Sequence, residues 1–221
     1  MEKCDWRFQE KRDKVSNVNT EGNRMDRKVI ALDIGQVCVQ VRGELCFAKL
    51  GYRSAAEVPR ELFVLNDEME KGRLTADEYF ERFRELTGSE LDKEAMLEAF
   101  CSIIAAPVPG MSELVARLPE HGIRPVFFSN TSCLHLERVR QIFAGAAAVP
   151  EGVYSFEVGA MKPESAIYEA FEQRYGRPAL YVDDRPDLIA AARERGWEAH
   201  CFNGAADLEK TLRNRLLVHC N

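Results

Sequence analysis

The chain has no apolar run near the roughly 18 residues that a membrane span requires, so a spanning helix is not expected. It has no basic surplus. Lys and Arg number 30 against 36 Asp and Glu, a net charge of -6. That balance argues against nonspecific nucleic-acid binding, because nothing is left over to neutralise a phosphate backbone. A local basic pocket for one small phosphate is still compatible with it. The seven cysteines include no pair at the two-residue spacing of a zinc knuckle, and their odd number and scatter predict reduced, mostly buried thiols. The four histidines form no ligand pattern. The first residues, Met-Glu-Lys-Cys-Asp-Trp-Arg, lack the apolar core of a signal peptide, so a cytoplasmic protein is expected. There is no internal repeat and no low-complexity segment.

What is present is an ordered alternation. Residues 1–27 are polar and aperiodic, which predicts a flexible extension or loose helix. Val29–Asp33 reads as a strand. The stretch from Glu44 to about Pro107 has no strong strand and reads as helices over Glu44–Leu50, Arg60–Glu70, Ala76–Leu86 and Lys93–Ile104. The third opens on a capping box, Thr75 with Glu78, in which each satisfies an orphan amide of the other. From Pro109 onward helices and strands alternate, with strands at Arg124–Phe128, near Val153–Phe156, Ala179–Val182 and Glu198–Phe202. Short connections in such alternation mean right-handed crossovers, hence an α/β fold with a Rossmann-like parallel sheet covered by helices on both faces.

Four segments carry chemistry. Three of them begin apolar and end polar, as a buried parallel strand does where its carboxyl end opens into a loop. Ligands of open α/β sheets sit outside those ends. Val29-Ile-Ala-Leu ends on Asp33; alone, such an Asp is commonly a turn former or a helix cap. Val126-Phe-Phe ends on Ser129, whose hydroxyl, with the amide of Asn130, can hold phosphoryl oxygens, or which can be an ordinary helix N-cap. Lys162 precedes Pro163 at an expected helix entrance, where it can neutralise phosphate and Asp33 or lie solvated on the surface. Leu180-Tyr-Val ends on Asp183 and Asp184, with Asp187 nearby. Adjacent carboxylates repel and are best tolerated beside a cation, although a charged loop capping the next helix gives the same pattern.

In order and spacing, these segments resemble the haloacid dehalogenase superfamily over roughly Val29 to Phe202. The resemblance implies a core over 28–43 and 108–221 and an inserted helical cap over 44–107. It implies Asp33 as a nucleophile that becomes an aspartyl phosphate, screened by Ser129, Asn130 and Lys162. It implies Mg bound by Asp33, the Gly35 carbonyl and Asp184, with Asp183 in support through a second layer or a water and Asp187 behind it. The partner implied is a small phosphorylated metabolite, with neither nucleic acid nor membrane, handled by a monomer or homodimer.

The pattern breaks at Gly35, where phosphatases of the superfamily usually carry a second Asp. The carbonyl survives; the carboxylate that protonates the leaving group does not. General acid–base help is worth about 10²–10⁴-fold, so a slower hydrolase is expected. Asp33-Ile-Gly-Gln-Val resembles the Asp-Leu-Gly-Asn-Val segment of enzymes similar to α-glucose-1-phosphate phosphatase, and Glu70-Lys-Gly-Arg-Leu-Thr matches their cap. Gln36 departs from that group. No obvious residue replaces the missing acid; Cys38 and His135 lie near the segments in sequence but are weak substitutes. Two other readings stand beside the phosphatase. One is a catalytically impaired phosphate-binding or regulatory protein. The other is a 2-haloacid dehalogenase, against which the Asp183-Asp184 pair speaks.

Overall fold

The computed structural model describes residues 27–216, so the extension expected over 1–27 lies outside them save for Arg27. Five parallel strands form the main sheet: β1 (Lys28–Leu32), β4 (Ile123–Ser129), β5 (Gly152–Tyr154), β6 (Leu180–Asp183) and β7 (Ala199–Cys201), in the order β5-β4-β1-β6-β7. The chain builds outward from β1 on one side and then crosses to the other, so the topological switch lies at β1. That is where such sheets open a crevice. No helix among the described residues is long and apolar enough to cross a membrane.

Side chains of a strand alternate between faces, and the sequence of β1 uses both. Ile30 and Leu32 enter a cluster with Met111, Leu114 and Val115 of α5 (Met111–Arg117) and Leu208 and Leu212 of α10 (Ala205–Leu216). Ala31 enters the opposite cluster with Val126, Phe128 and Tyr181, against Ile167, Tyr168 and Phe171 of α8 (Ser165–Tyr175) and Ile189 and Ala192 of α9 (Pro186–Glu194). Burial on both faces is why these strands read as continuous apolar runs.

Four α-helices lie between Val41 and Ile104: α1 (Gly43–Lys49), α2 (Arg60–Glu70), α3 (Ala76–Thr87) and α4 (Lys93–Cys101). They share a separate cluster that includes Leu62, Leu65, Met69, Tyr79, Phe80, Phe83, Met96 and Phe100. The capping box forms, with the Thr75 side chain accepting from the Glu78 amide and Glu78 accepting in return. Leu134 of α6 (Cys133–Ile142) joins the same cluster, so these helices are seamed to the sheet domain through α6.

Several sequence expectations need correction. The helix expected to reach Ile104 stops at Cys101, and Ile104–Pro107 is a strand, β3, paired antiparallel with β2 (Val39–Val41). Strands this short carry almost no periodic signal, and their pairing joins residues distant in sequence. The strand expected near Val153–Phe156 ends at Tyr154, and Ser155–Val158 turns as a short helix, α7. Pro163 does not open a helix; α8 begins at Ser165, and a cis peptide joins Lys162 to Pro163. Of the described cysteines only Cys38 is buried; Cys46, Cys101 and Cys133 are half-buried and Cys201 is exposed.

Candidate active site

Register brings the strand ends together. Leu32 aligns with Phe127 on one side and Val182 on the other. Asp33 therefore leaves the sheet level with the ends of β4 and β6, its amide donating to the Val182 carbonyl at 2.9 Å. The turn behind it is tightly held. Cys38 Sγ donates to the Asp33 carbonyl at 3.3 Å. Gln36 takes the left-handed conformation at φ 54°, unusual for a long side chain, and its amide side chain donates to the Val41 carbonyl at 3.0 Å.

Lys162 is the hub. Its ammonium has three protons and uses all three, on Asp33 Oδ1 at 2.7 Å, Asp183 Oδ2 at 2.7 Å and the Phe128 carbonyl at 3.0 Å. It is 4% exposed, so the surface alternative for this lysine is excluded. The rings of Phe128 and Tyr181 flank it at 5.3 and 5.5 Å. Its backbone is fixed by Asn130, whose side-chain oxygen accepts from the Lys162 amide at 2.7 Å and whose side-chain nitrogen donates to the Lys162 carbonyl at 3.1 Å. Ser129 is buried at the end of β4 and its hydroxyl donates to the Asn130 carbonyl at 3.3 Å. The helix cap is Ser132 instead, which accepts from the His135 amide.

The two adjacent aspartates have different environments. Asp183 is fully buried and both oxygens are engaged, Oδ2 by Lys162 and the Tyr181 hydroxyl and Oδ1 by the Arg185 amide at 2.9 Å. Asp184 is half-buried beside it. Asp187, expected to support the site, is exposed and among the described residues pairs with Arg185, at 2.6 Å.

Burial pushes the Asp33 carboxyl up to about 6, against the pull of Lys162, with the Asp183 charge adding to the rise. Burial also works to lower the Lys162 pKa, but Asp33 and Asp183 outweigh it and hold the ammonium charged. Burial first, and Asp183 second, raise the Asp184 carboxyl. Asp33 and Asp184 both resist ionisation, and a cation beside them would offset that resistance.

Oxygens of Asp33, Asp183 and Asp184 lie within 4.8 Å of one another. Mg takes one or two carboxylates and completes its shell with carbonyls, waters or phosphate. With Asp183 committed to its hydrogen bonds, Asp33 and Asp184, with the Gly35 carbonyl, suit that donor set. A Cβ built on Gly35 would stand 3.7 Å from Asp33 Oδ2 and 3.2 Å from Val41 Cγ2, so a side chain here would border the Asp33 carboxyl.

Two contributors escaped the sequence. Tyr181 looked like a plain strand residue, yet its hydroxyl donates to Asp183; a phenol within an otherwise apolar strand, two residues before an Asp, is the available signal. Glu70 closes α2, and the Asp33 charge acts on its carboxyl.

Residues 27–196 match the haloacid dehalogenase-like hydrolase family. Among solved structures, a haloacid dehalogenase family enzyme from Bacteroides thetaiotaomicron, in complex with magnesium and inorganic phosphate, is 22% identical, with a TM-score of 0.72 over 85% of this chain and 100% of that one. A predicted hydrolase of the same family from Porphyromonas gingivalis is 20% identical, with a TM-score of 0.71 over 85% of this chain and 98% of that one. A CbbY variant from Rhodobacter sphaeroides, in complex with xylulose-(1,5)bisphosphate, is 21% identical, with a TM-score of 0.50 over 78% of this chain and 84% of that one. At these identities the likeness is one of fold.

Proposed function

The chain belongs to the haloacid dehalogenase-like hydrolases, and from that premise we propose that it is a Mg-dependent phosphatase of a small phosphorylated metabolite, acting through an aspartyl phosphate on Asp33. The observation that carries the reading is the buried Lys162, bridging Asp33 and Asp183 at 2.7 Å each. A charged lysine sealed between carboxylates at strand ends is costly to build, and a charge hub beside a nucleophile gives it a use. Mg held by Asp33, Asp184 and the Gly35 carbonyl would add positive charge facing the phosphoryl oxygens.

The chain's own groups do the rest. Lys162 keeps Asp33 Oδ1 in one orientation, so Oδ2 is the oxygen directed to phosphorus. Ser129 and the Asn130 amide bind phosphoryl oxygens at the start of α6, where the helix dipole favours an anion. Asn130 transmits the position of Lys162 to this loop. Asp183 supports Lys162 without reaching substrate. Residues 44–107 act as a cap over a core of 28–43 and 108–221, and their closure excludes water.

A sugar phosphate is the favoured substrate. Its support is the Asp33-Ile-Gly-Gln-Val segment, similar to that of α-glucose-1-phosphate phosphatases, and the sugar bisphosphate held by the CbbY variant. An anomeric oxygen leaves more easily than a simple alcohol, which lessens the demand on the acid absent at position 35. The test is phosphate release with Mg from hexose 1- and 6-phosphates and p-nitrophenyl phosphate, with Asp33→Asn and EDTA controls. Metal-dependent release that vanishes in Asp33→Asn is expected. Binding of Mg and phosphate with no release from any substrate would favour the regulatory alternative.

A further inference from the structure

Gly35 removes the acid from beside Asp33, and the end of α2 carries another carboxyl on which the Asp33 charge acts. Glu70 is the last residue of that helix. The residues that follow it are pinned to the sheet domain. Lys71 Nζ pairs with Glu164 Oε1 at 3.0 Å, and that same oxygen accepts from the Met161 amide at 3.1 Å, next to Lys162. Gly72 has φ +65°, and a Cβ there would stand 2.0 Å from the Phe156 carbonyl oxygen, so only glycine allows this approach. The seam therefore fixes the end of α2, directly after Glu70, against the segment that carries the ammonium hub.

Among the described residues no cation pairs with Glu70. Its basic neighbours are engaged elsewhere, Lys71 with Glu164 and Arg73 with Glu68. Its described hydrogen bond comes from Asn66 Nδ2 at 3.2 Å. The charges of Asp67 on its own helix and of Asp33 from the β1 turn act on it, and its own charge acts on Tyr79 of α3. A helix C-terminus also disfavours a carboxylate. Burial, with Asp67 and Asp33 adding to it, pushes the Glu70 carboxyl up to about 7 despite the Asn66 bond. A group at that value can give and retake a proton near neutrality.

We propose that Glu70 is the acid and base of the reaction, supplied from the helical segment in place of the carboxyl missing at Gly35. The proposal rests on the phosphatase reading. As Asp33 Oδ2 bonds to phosphorus and the bond from phosphorus to the leaving oxygen breaks, the Glu70 carboxyl gives its proton to that oxygen, releasing the alcohol. The Glu70 carboxylate then takes a proton from water as the water oxygen bonds to phosphorus and the Asp33–phosphorus bond breaks. Phosphate leaves, Asp33 is again a carboxylate and Glu70 is again protonated.

The test compares Glu70→Gln with the wild type on hexose 6-phosphate and on p-nitrophenyl phosphate, whose leaving group needs no acid. With the hexose phosphate, turnover is expected to fall by about 10²–10⁴-fold. With p-nitrophenyl phosphate, a burst of p-nitrophenol equal to the enzyme is expected, then slow turnover, with phosphorylated Asp33 accumulating and detectable by mass spectrometry of the quenched protein. Adding Gly35→Asp to Glu70→Gln is expected to restore hexose phosphate turnover. Unchanged turnover in Glu70→Gln, or equal loss on both substrates with no phosphoprotein, overturns the assignment while leaving the phosphatase intact. A wild type with no metal-dependent release from any substrate overturns both.

Discussion

Lys162 concentrates the logic of the site in one side chain. An ammonium sealed from water is tolerable only because its three protons meet two carboxylates and a carbonyl. Those carboxylates are tolerable only because the ammonium is there. Substituting Lys162→Met keeps the volume and removes the charge, leaving Asp33 and Asp183 buried side by side. Breaking a buried pair from one side costs about 3–5 kcal/mol, so urea denaturation in EDTA is expected to show a loss of that order, together with loss of the proposed phosphatase activity. The loss is expected to shrink as pH falls, because protonation removes the repulsion between the two carboxyls. A variant as stable as the wild type at neutral pH would mean the hub is not charged as described.

Between elements, the seam of α4 and α6 rests on a neutral imidazole. His135 is buried, stacks on Phe100 with centroids 4.1 Å apart and planes 12° apart, and meets the Phe100 carbonyl through Nε2 at 3.1 Å. Burial pushes its pKa down to about 4, with the Phe100 bond working the other way. A depressed histidine pKa means that the unfolded chain binds the proton more readily. The contribution is therefore fully present above the ordinary value of 6.5 and is lost as pH falls toward 4. From that gap, about 3 kcal/mol is expected to disappear between those limits. Thermal melts of the wild type and His135→Gln from pH 7 to pH 4 check it: the variant is expected to be less stable at pH 7 and to lose less on acidification. Parallel decline of the two would mean His135 is not the titrating group.

At the scale of the molecule, a chain of net charge -6 binds an anion only where local positive charge overrides the global sign. In the proposed phosphatase the hub, the start of α6 and a bound cation would meet that need together, so metal and phosphate are expected to stabilise the fold jointly. A ligand at a hundredfold excess over its Kd adds about 2.7 kcal/mol. Differential scanning fluorimetry with Mg, with inorganic phosphate and with both is expected to give its largest rise with both, and Asp184→Asn is expected to abolish the rise due to Mg. Equal shifts in the variant would mean that the cation binds elsewhere.

Much of this was readable in the residues because the physics behind it is local. A strand buried on both faces must be apolar along its length, so its carboxyl end is marked where polarity begins; Asp33, Ser129 and Asp183 stand at such marks. The alternation of strand and helix determined the parallel sheet, and the parallel sheet brought those ends to one edge. Tertiary structure alone decided how each acid is used. Asp183 and Asp184 are neighbours in sequence, yet one is spent on Lys162, Tyr181 and Arg185 and the other is half-buried with an oxygen within 4.8 Å of Asp33. Asp187 is turned outward by Arg185. The short β2–β3 pair, the seam at Gly72 and the action of the Asp33 charge on Glu70 join residues far apart along the chain, and no periodicity within either segment encodes its partner. Patterning along the chain sets which surfaces are buried; only the packed chain sets which charges then share a low-dielectric space, and there their energies are decided.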